Sequence, residues 1–552
     1  MKVVKNANLI RPTWGVLPLL PLLFGVVALT HRWWSARPLW LDEQMIARNI
    51  RDRDFAGLAS ALDHNQSAPL GWLWAQHAVV MAFGTGERPL RLIPLLFGVG
   101  ALVLGWLIGR RWLGPVGCFA VVSLLAVNSS VLRYSAEVKQ YTGDVFWVLM
   151  LLGVALWALE PPSGAAESPG PDPRRRALRV SLWWLAATVA CLFSMGAILA
   201  TPALALIVVG ALAWRGRWRA AALAALPGIG WLTAFVVQYW FALRHVRSNQ
   251  MMVEFWARLG YPPEGAGPLG IVIWSVRRME ALAADPLGLD NAALGRGWLL
   301  FAGAVFWFLV LTGVLLATRV AVPIGMLLAA PAAAGLVLAV LRVAPLTVRL
   351  AMWIVPALFL AVGFAIDAAA RSAARLLRRP VGWPTGWLLG GSGAALTLVA
   401  AVAFAPLAGA ALRQPGPPGI DDRAGVTWLV RQHRPGDLTL VIHGSHHAVA
   451  WYAPGDLLEP QYRVRLTASS AGCDPDVLRA RVAGFDRVLV YGRIRAGAAG
   501  RAAEVLTARL TELGTVLEAA DAGGVSISRI VQLRPEPDRP PNTDTSACLS
   551  LT

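Results

Sequence analysis

The chain has 552 residues, is 56% hydrophobic and has a mean hydropathy of +0.55, values that exclude a soluble globular protein. That length accommodates about ten membrane spans and an appendage. The net charge of +18 does not point to nucleic acid, because the arginines cluster in short loops between apolar runs, where the positive-inside rule expects them.

Lys2, Lys5 and Arg11 precede an apolar run from Trp14 to Thr30. The pattern resembles a signal sequence, but no small-x-small cleavage site follows, and His31, Arg32, Trp33 and Trp34 read as an interfacial anchor. The run is therefore expected to be an uncleaved span leading outward. The external loop Arg32–Arg88 comes next. It carries the acidic stretch WLDEQ at Trp40–Gln44, the charge run RDRD at Arg51–Asp54 and the segment HNQSAPLGW at His64–Trp72. Its apolar stretch Leu70–Phe83 is about fourteen residues long, short of the roughly twenty that a span needs, and is expected to lie along the interface as an amphipathic helix. Counting it as a span would put every later basic loop on the wrong side.

Pro89–Gly109 then runs inward to Arg110 and Arg111, and Pro115–Ser130 returns outward to a polar cluster at Arg133–Asp144. Val145–Leu159 leads back to a loop holding Arg174, Arg175, Arg176 and Arg179. Spans at Leu182–Phe193, Ile198–Trp214 and Ala221–Leu243, with Arg215, Arg217 and Arg219 between the last two, reach a second external loop, Arg244–Arg296. Trp298–Thr318, Val320–Leu341, Leu350–Ile366 and Trp387–Leu407 complete about eleven spans, with the amino end inside and the carboxyl end outside.

From Arg413 onward the composition becomes mixed. Helical patterns at Asp421–Gln432, Asp476–Val482 and Ala502–Leu513 alternate with strand patterns at Leu438–His443, Arg487–Tyr491 and Val525–Leu533, which describes a small α/β domain. The expected organisation is a polytopic α-helical membrane domain over 1–412 with external loops 32–88 and 244–296, an extracytoplasmic α/β domain over 413–534, and an unstructured tail over 535–552. Of the four cysteines, Cys118 and Cys191 fall in spans and read as packing residues; Cys473 and Cys548 lie outside, and whether they form a bridge stays open.

Polar residues gather at the outer ends of spans and in the two external loops, away from span centres, where a charge costs about 2.5–3.5 kcal/mol. This placement suits a substrate with a polar head and a lipid tail. Transfer of a sugar from a polyprenyl phosphate needs cations for the leaving phosphate and a base for the acceptor hydroxyl. Asp42 or its neighbour Glu43 can be that base; the sequence leaves the choice open. Arg88, Arg91, Lys139 and Arg349 can neutralise the phosphate, Lys139 being one of three lysines in the chain. His64, Gln66, Glu137 and Tyr141 are candidate substrate contacts. Plainer readings stand beside these: snorkelling for Arg88 and Arg91, a solvated pair for Glu137 and Lys139, a span boundary for Arg349, a belt aromatic for Tyr141. Asp52-x-Asp54 resembles a metal-binding pair, yet Arg51 and Arg53 make it a charge run, and His443, His446 and His447 have no cysteine or carboxylate at ligand spacing. No metal site and no cofactor are expected.

Several of these features together carry a resemblance: Asp42-Glu43 directly after the first span, Ser67–Leu70 before an interfacial helix, and FGTGERPLRL at Phe83–Leu92 leading into a span. Lys139 and Tyr141 opening the fourth span and the Arg349–Pro356 pattern starting a late one complete it. Over roughly Trp14 to Ala370 the chain resembles the GT-C glycosyltransferases of the protein O-mannosyltransferase and lipid A aminoarabinose transferase type. The resemblance implies a GT-C architecture in a bacterial inner membrane and metal-independent, inverting transfer from a polyprenyl-phosphate sugar donor to an extracytoplasmic glycan, lipid or protein acceptor. It gives Asp42 the role of base and places Arg88 or Arg91, and Arg349, on the lipid phosphate. Where members carry His-Pro-Pro or Lys-Pro-Pro this chain has Gln66, Ser67, Ala68 and Pro69, with His64 as a substitute; the C-terminal domain inherits no role. The main rival from another class is a secondary transporter or lipid flippase, but no pair of interrupted mid-membrane spans repeats in two halves. A non-catalytic envelope assembly protein is a third reading, under which Asp42 would be dispensable.

Overall fold

The computed structural model describes residues 17–160, 173–213, 218–247, 250–291, 293–377, 404–406, 408–412, 421–442, 444–455, 463–466, 478–479, 482–493, 508–522, 526–533 and 549–551. By its internal contacts the chain divides into two units, Met1–Ser35 with Arg53–Gln414 and Ala36–Asp52 with Pro415–Thr552. The first boundary cuts through the external loop expected over 32–88, so the stretch bearing Asp42 and Glu43 groups with the C-terminal residues.

The first unit is a bundle of apolar helices. Among the described residues, seven are long and apolar enough to cross a membrane: Leu92–Trp112, Tyr141–Leu159, Met195–Ala213, Trp218–Leu243, Gly295–Val320, Val322–Val340 and Val348–Ala373. Shorter apolar helices occupy Leu19–Trp34, Leu70–Phe83, Pro115–Val127 and Ala177–Phe193. All but Leu70–Phe83 coincide with expected spans, while the expected span Trp387–Leu407 lies largely outside the described residues. The chain is a multi-pass membrane protein.

Leu70–Phe83 departs from the amphipathic helix expected there. Its polar residues Gln76 and His77 are buried with Leu70, Trp72, Leu73 and Val80, while Trp74, Met81 and Phe83 are exposed. The helix is apolar on its open side, the inverse of a surface amphipath. Close approach of helices rests on small residues, as membrane packing requires. A Cβ on Gly313 would run into the Ala361 carbonyl oxygen, and one on Gly71 would lie 2.8 Å from that of Leu192. Val348–Ala373 is the central stave, with 89% of its apolar 18-residue stretch buried, whereas Gly295–Val320 has 17% of such a stretch buried and turns its Leu, Val and Phe side chains outward. The central stave opens as a 3-10 turn over Val348–Ile354 and continues as the α-helix Val355–Leu377. Pro356 is tolerated there because first-turn residues have no intrahelical acceptor for an N–H.

The second unit contains a mixed six-stranded sheet of order β4-β5-β3-β1-β2-β6. β1 (Leu438–Ile442) pairs in parallel with β2 (Arg463–Leu466) and β3 (Arg487–Arg493). β5 (Ser526–Leu533) runs antiparallel between β3 and β4 (Gly514–Ala522), and β6 (Leu549–Leu551) is antiparallel to β2. All five β1 positions are buried, as suits a central parallel strand. Asp421 caps the helix Asp422–Gln432 by accepting the Ala424 N–H at 2.8 Å, and Val426 and Leu429 pack from it against Val441, Leu489 and Tyr491. A second helix spans His446–Tyr452. The sequence patterns anticipate β1, β3, β5 and the Asp422–Gln432 helix. They do not anticipate β2, β4 or the 446–452 helix, and Leu549–Leu551 is a strand inside the tail expected to lack structure. His443, Cys473 and Cys548 lie outside the described residues, as does most of the expected helix Asp476–Val482.

Candidate active site

The acidic stretch forms the first turn of the helix Leu41–Asp52. The Trp40 carbonyl accepts the Glu43 and Gln44 N–H groups at 2.8 and 2.9 Å, which makes Trp40 the cap residue. The fully buried Glu43 carboxylate turns back to accept the Trp40 N–H at 3.2 Å, the second half of a capping box, and accepts from Arg37 Nη1 at 3.1 Å. Glu43 therefore holds the turn together. Gln44, also fully buried, donates through Nε2 to the Leu39 carbonyl at 2.7 Å. Asp42 is half-buried in the same turn, where the helix dipole favours a negative charge. Of the two carboxylates, Glu43 is taken up by the turn and Asp42 is the more open one.

The first unit gathers most of the other candidates around residues 128–141. Asn128 caps the helix Ser129–Tyr134 by accepting the Val131 N–H at 2.8 Å, and its Nδ2 donates to the Pro286 and Leu287 carbonyls, each at 3.0 Å. Ser130 Oγ donates to Asp285 Oδ1 at 3.1 Å, and Arg133 Nε donates to the buried Glu137 carboxylate at 2.8 Å. The buried Lys139 donates through Nζ to Gln66 Oε1 at 2.8 Å. The Arg349 guanidinium lies 5.8 Å from the ring centroids of both Tyr141 and Trp256, and the Tyr134 and Tyr141 rings meet edge to face at 5.0 Å. Gln66, Glu137, Lys139, Tyr141 and Arg349 thus share one neighbourhood.

Backbone conformation is unusual on two sides of that neighbourhood. Val348, directly before Arg349, has a φ of +41°, and His64 and Asn65, before Gln66, have φ of +62° and +56°. Such angles are rare for residues with a side chain and persist where the surroundings over-determine them.

The remaining candidates are placed differently. Arg88 donates to the Trp34 carbonyl at 3.1 Å, accepts from Trp33 Nε1 at 2.8 Å through its own carbonyl, and stacks 4.3 Å above the Trp34 ring. It ties the end of the first helix. Arg91, almost fully buried, immediately precedes the helix Leu92–Trp112. His64 is half-buried, and its carbonyl accepts Gln66 Nε2 at 3.2 Å. Asp52 pairs with Arg51 at 2.6 Å and Asp54 accepts the Gly57 N–H at 2.7 Å, so both members of the DxD-like pair have local partners. Among the described residues no group of three or more His, Cys, Asp or Glu side chains is placed to hold a metal ion.

Sequence reasoning does not single out Ser130, Trp256, Arg278, Thr347 or Asp285, and it reads Tyr134, like Tyr141, as a belt aromatic. Arg278 Nη1 donates to Thr347 Oγ1 at 3.2 Å, two residues before Arg349. Burial raises the Asp285 carboxyl above its ordinary range, partly opposed by the Ser130 hydrogen bond and by Arg133. Burial lowers the Arg133 guanidinium, but the charge and hydrogen bond of Glu137 together with Tyr134 and Asp285 outweigh it, and the net direction is up. No local pattern marks these residues: Asn128 and the 286 carbonyl it binds are 158 positions apart.

The bundle and its C-terminal mixed sheet have the GT-C fold. Two solved structures of ArnT from Cupriavidus metallidurans, one in the apo state and one bound to undecaprenyl phosphate, match the chain with a TM-score of 0.54. Identity is 17% and 16%, and each match covers 92% of this chain and 97% of the other. At that identity the likeness is one of fold. No protein-family model and no curated protein matches the sequence.

Proposed function

We propose that this protein transfers a sugar, with inversion, from a polyprenyl-phosphate donor to a glycan, lipid or protein acceptor at the extracytoplasmic face of a bacterial inner membrane. The observation that carries the reading is the convergence of Lys139 and Arg349 with Gln66 and Tyr141, in a fold shared along its length with a protein solved bound to undecaprenyl phosphate. The amino end is cytoplasmic in this reading, and the C-terminal unit is outside.

Lys139 and Arg349, with Arg88 and Arg91, neutralise the donor phosphate; a guanidinium fork matches phosphate oxygens in pairs. Glu137 orients Arg133 beside them, and His64, Gln66 and Tyr141 contact the donor head. Asp42 takes the proton of the acceptor hydroxyl as its oxygen attacks the anomeric carbon. The bond from that carbon to the phosphate oxygen breaks, and the lipid phosphate leaves with the electron pair. No leaving-group acid is needed, which separates this chemistry from the two-carboxylate arrangement of glycoside hydrolysis.

The test is transfer of labelled sugar from membrane polyprenyl-phosphate donors in membranes carrying wild type, Asp42→Asn or Glu43→Gln at matched expression. Asp42→Asn is expected to lower transfer about 100-fold or more with donor binding retained. Transfer by wild type that survives Asp42→Asn removes the base; wild type that transfers from none of the donors favours the transporter reading.

A further inference from the structure

Within the second unit, the helix Leu41–Asp52 is joined to the α/β layer by a chain of buried polar groups. Gln44 Nε2 donates to Asp422 Oδ2 at 2.7 Å, and the other oxygen of that carboxylate accepts the Tyr491 hydroxyl at 2.6 Å. Gln44, Asp422 and Tyr491 are all completely buried. Tyr452 adds a third contact by accepting the Leu39 N–H on its hydroxyl at 2.7 Å, and the Arg51 guanidinium stacks 4.7 Å over Trp451 at the far end of the helix. Tyr491 belongs to β3, and Gly425 lets the helix Asp422–Gln432 approach its ring: a Cβ at 425 would meet Tyr491 Cε2 at 2.8 Å. Burial raises the Tyr491 hydroxyl, which keeps it a donor to the carboxylate.

Burying a carboxylate, an amide and a phenol together is unfavourable unless every group is satisfied, and apolar residues would hold a helix to a sheet without that penalty. What the polar chain adds is direction. Hydrogen bonds fix the rotation of the helix about its axis, which apolar packing of Ile46, Ala47 and Ile50 specifies less sharply. Two residues along a helix subtend about 200°, so a grip on Gln44 turns Asp42 to the opposite side.

We infer that the C-terminal α/β unit is a positioning seat for the carboxylate turn, with Asp422 and Tyr491 as positioning residues that set the orientation of Asp42 through Gln44. The inference rests on the reading of Asp42 as the base. It gives the C-terminal domain a role in the chemical step, in place of a role confined to holding the acceptor.

The experiment compares full-length wild type, Asp422→Asn and Tyr491→Phe by amide hydrogen exchange over 41–52, β1 and β3, and by sugar transfer from extracted membrane polyprenyl-phosphate donors. Asp422→Asn leaves one acceptor where two donors converge, and Tyr491→Phe removes one donor while keeping the ring. Exchange over 41–52 is expected to rise about tenfold in both variants, with β1 and β3 still protected. Turnover is expected to fall about 100-fold with KM for the donor lipid unchanged. Unchanged exchange over 41–52 overturns the seat, and raised exchange with unaltered turnover overturns its positioning role. Should Asp422→Asn lose protection throughout the sheet, Tyr491→Phe decides; the same general loss there makes the network a stabiliser of the domain and nothing more. Exchange does not depend on turnover, so transfer that survives Asp42→Asn sinks the base assignment without touching the exchange result.

Discussion

At Trp40–Gln44 three consecutive polar side chains divide the work of one helical turn. Glu43 closes the helix start, Gln44 grips Asp422, and Asp42 lies half-buried on the side away from that grip. In the 128–141 neighbourhood of the membrane unit the charged groups are instead held by separate partners, one local and the others from distant segments. Arg133 has a carboxylate, Lys139 an amide 73 positions away, and Arg349 two aromatic rings. The difference teaches where each kind of group is vulnerable. A turn built from adjacent residues separates geometry from chemistry side chain by side chain, whereas an assembled cluster spreads both over many members.

The sharpest way to break the comparison is Asp42→Asn. It leaves the capping box and the Gln44 contact in place and is expected to lower transfer about 10²- to 10⁴-fold with little change in thermal stability. Arg349→Gln is next: removing one preorganised cation is expected to lower turnover about 100-fold, and wild-type turnover in this variant would detach the cluster from the chemistry. Glu43→Ala should invert the pattern of Asp42→Asn. Losing the cap lowers stability by about 1 kcal/mol, read as a lower thermal midpoint, while transfer at a permissive temperature stays within about tenfold of wild type. Equal losses of transfer from both carboxylates would erase the division of roles.

The smallest effect concerns Asp285. A carboxyl whose folded pKa is raised stabilises the fold most below its ordinary pKa of 3.8, and that contribution is lost as pH rises through the folded value. Above that value the group is a net cost to the fold. Asp285→Asn keeps an acceptor for Ser130 and removes the charge, so the variant should unfold about 2 °C above wild type at pH 7, with the gap closing toward pH 4. A gap that widens on acidification reverses the sign and the assigned cause.

Spans were legible because a run of about twenty apolar residues is a local property of the chain. β1, β3 and β5 were legible as short β-branched runs. β4 was not, because GTVLEAADA is rich in residues of low strand propensity, and β6 is three residues long. The acidic turn announced itself by its position after the first span, and Lys139 by the rarity of lysine. What stayed hidden was partnership. Gln44 and Asp422 are 378 positions apart, and nothing in WLDEQ shows that Glu43 would close a helix while Gln44 would bind a buried carboxylate. Trp256 and Asp285 likewise enter the cluster through tertiary packing that no periodicity encodes.

The separation between Gln44 and Asp422 also has a consequence in time. A ribosome adding about 5–20 residues per second needs roughly 20 to 75 s to travel from the helix Leu41–Asp52 to the residues that seat it. Throughout that interval a nascent chain can have its first spans inserted and its acidic helix made, but it lacks Asp422, Tyr452 and Tyr491. On the assignment made above, orientation of Asp42 waits for nearly the last part of the chain to be translated, so a prematurely terminated product would be membrane-inserted and inert.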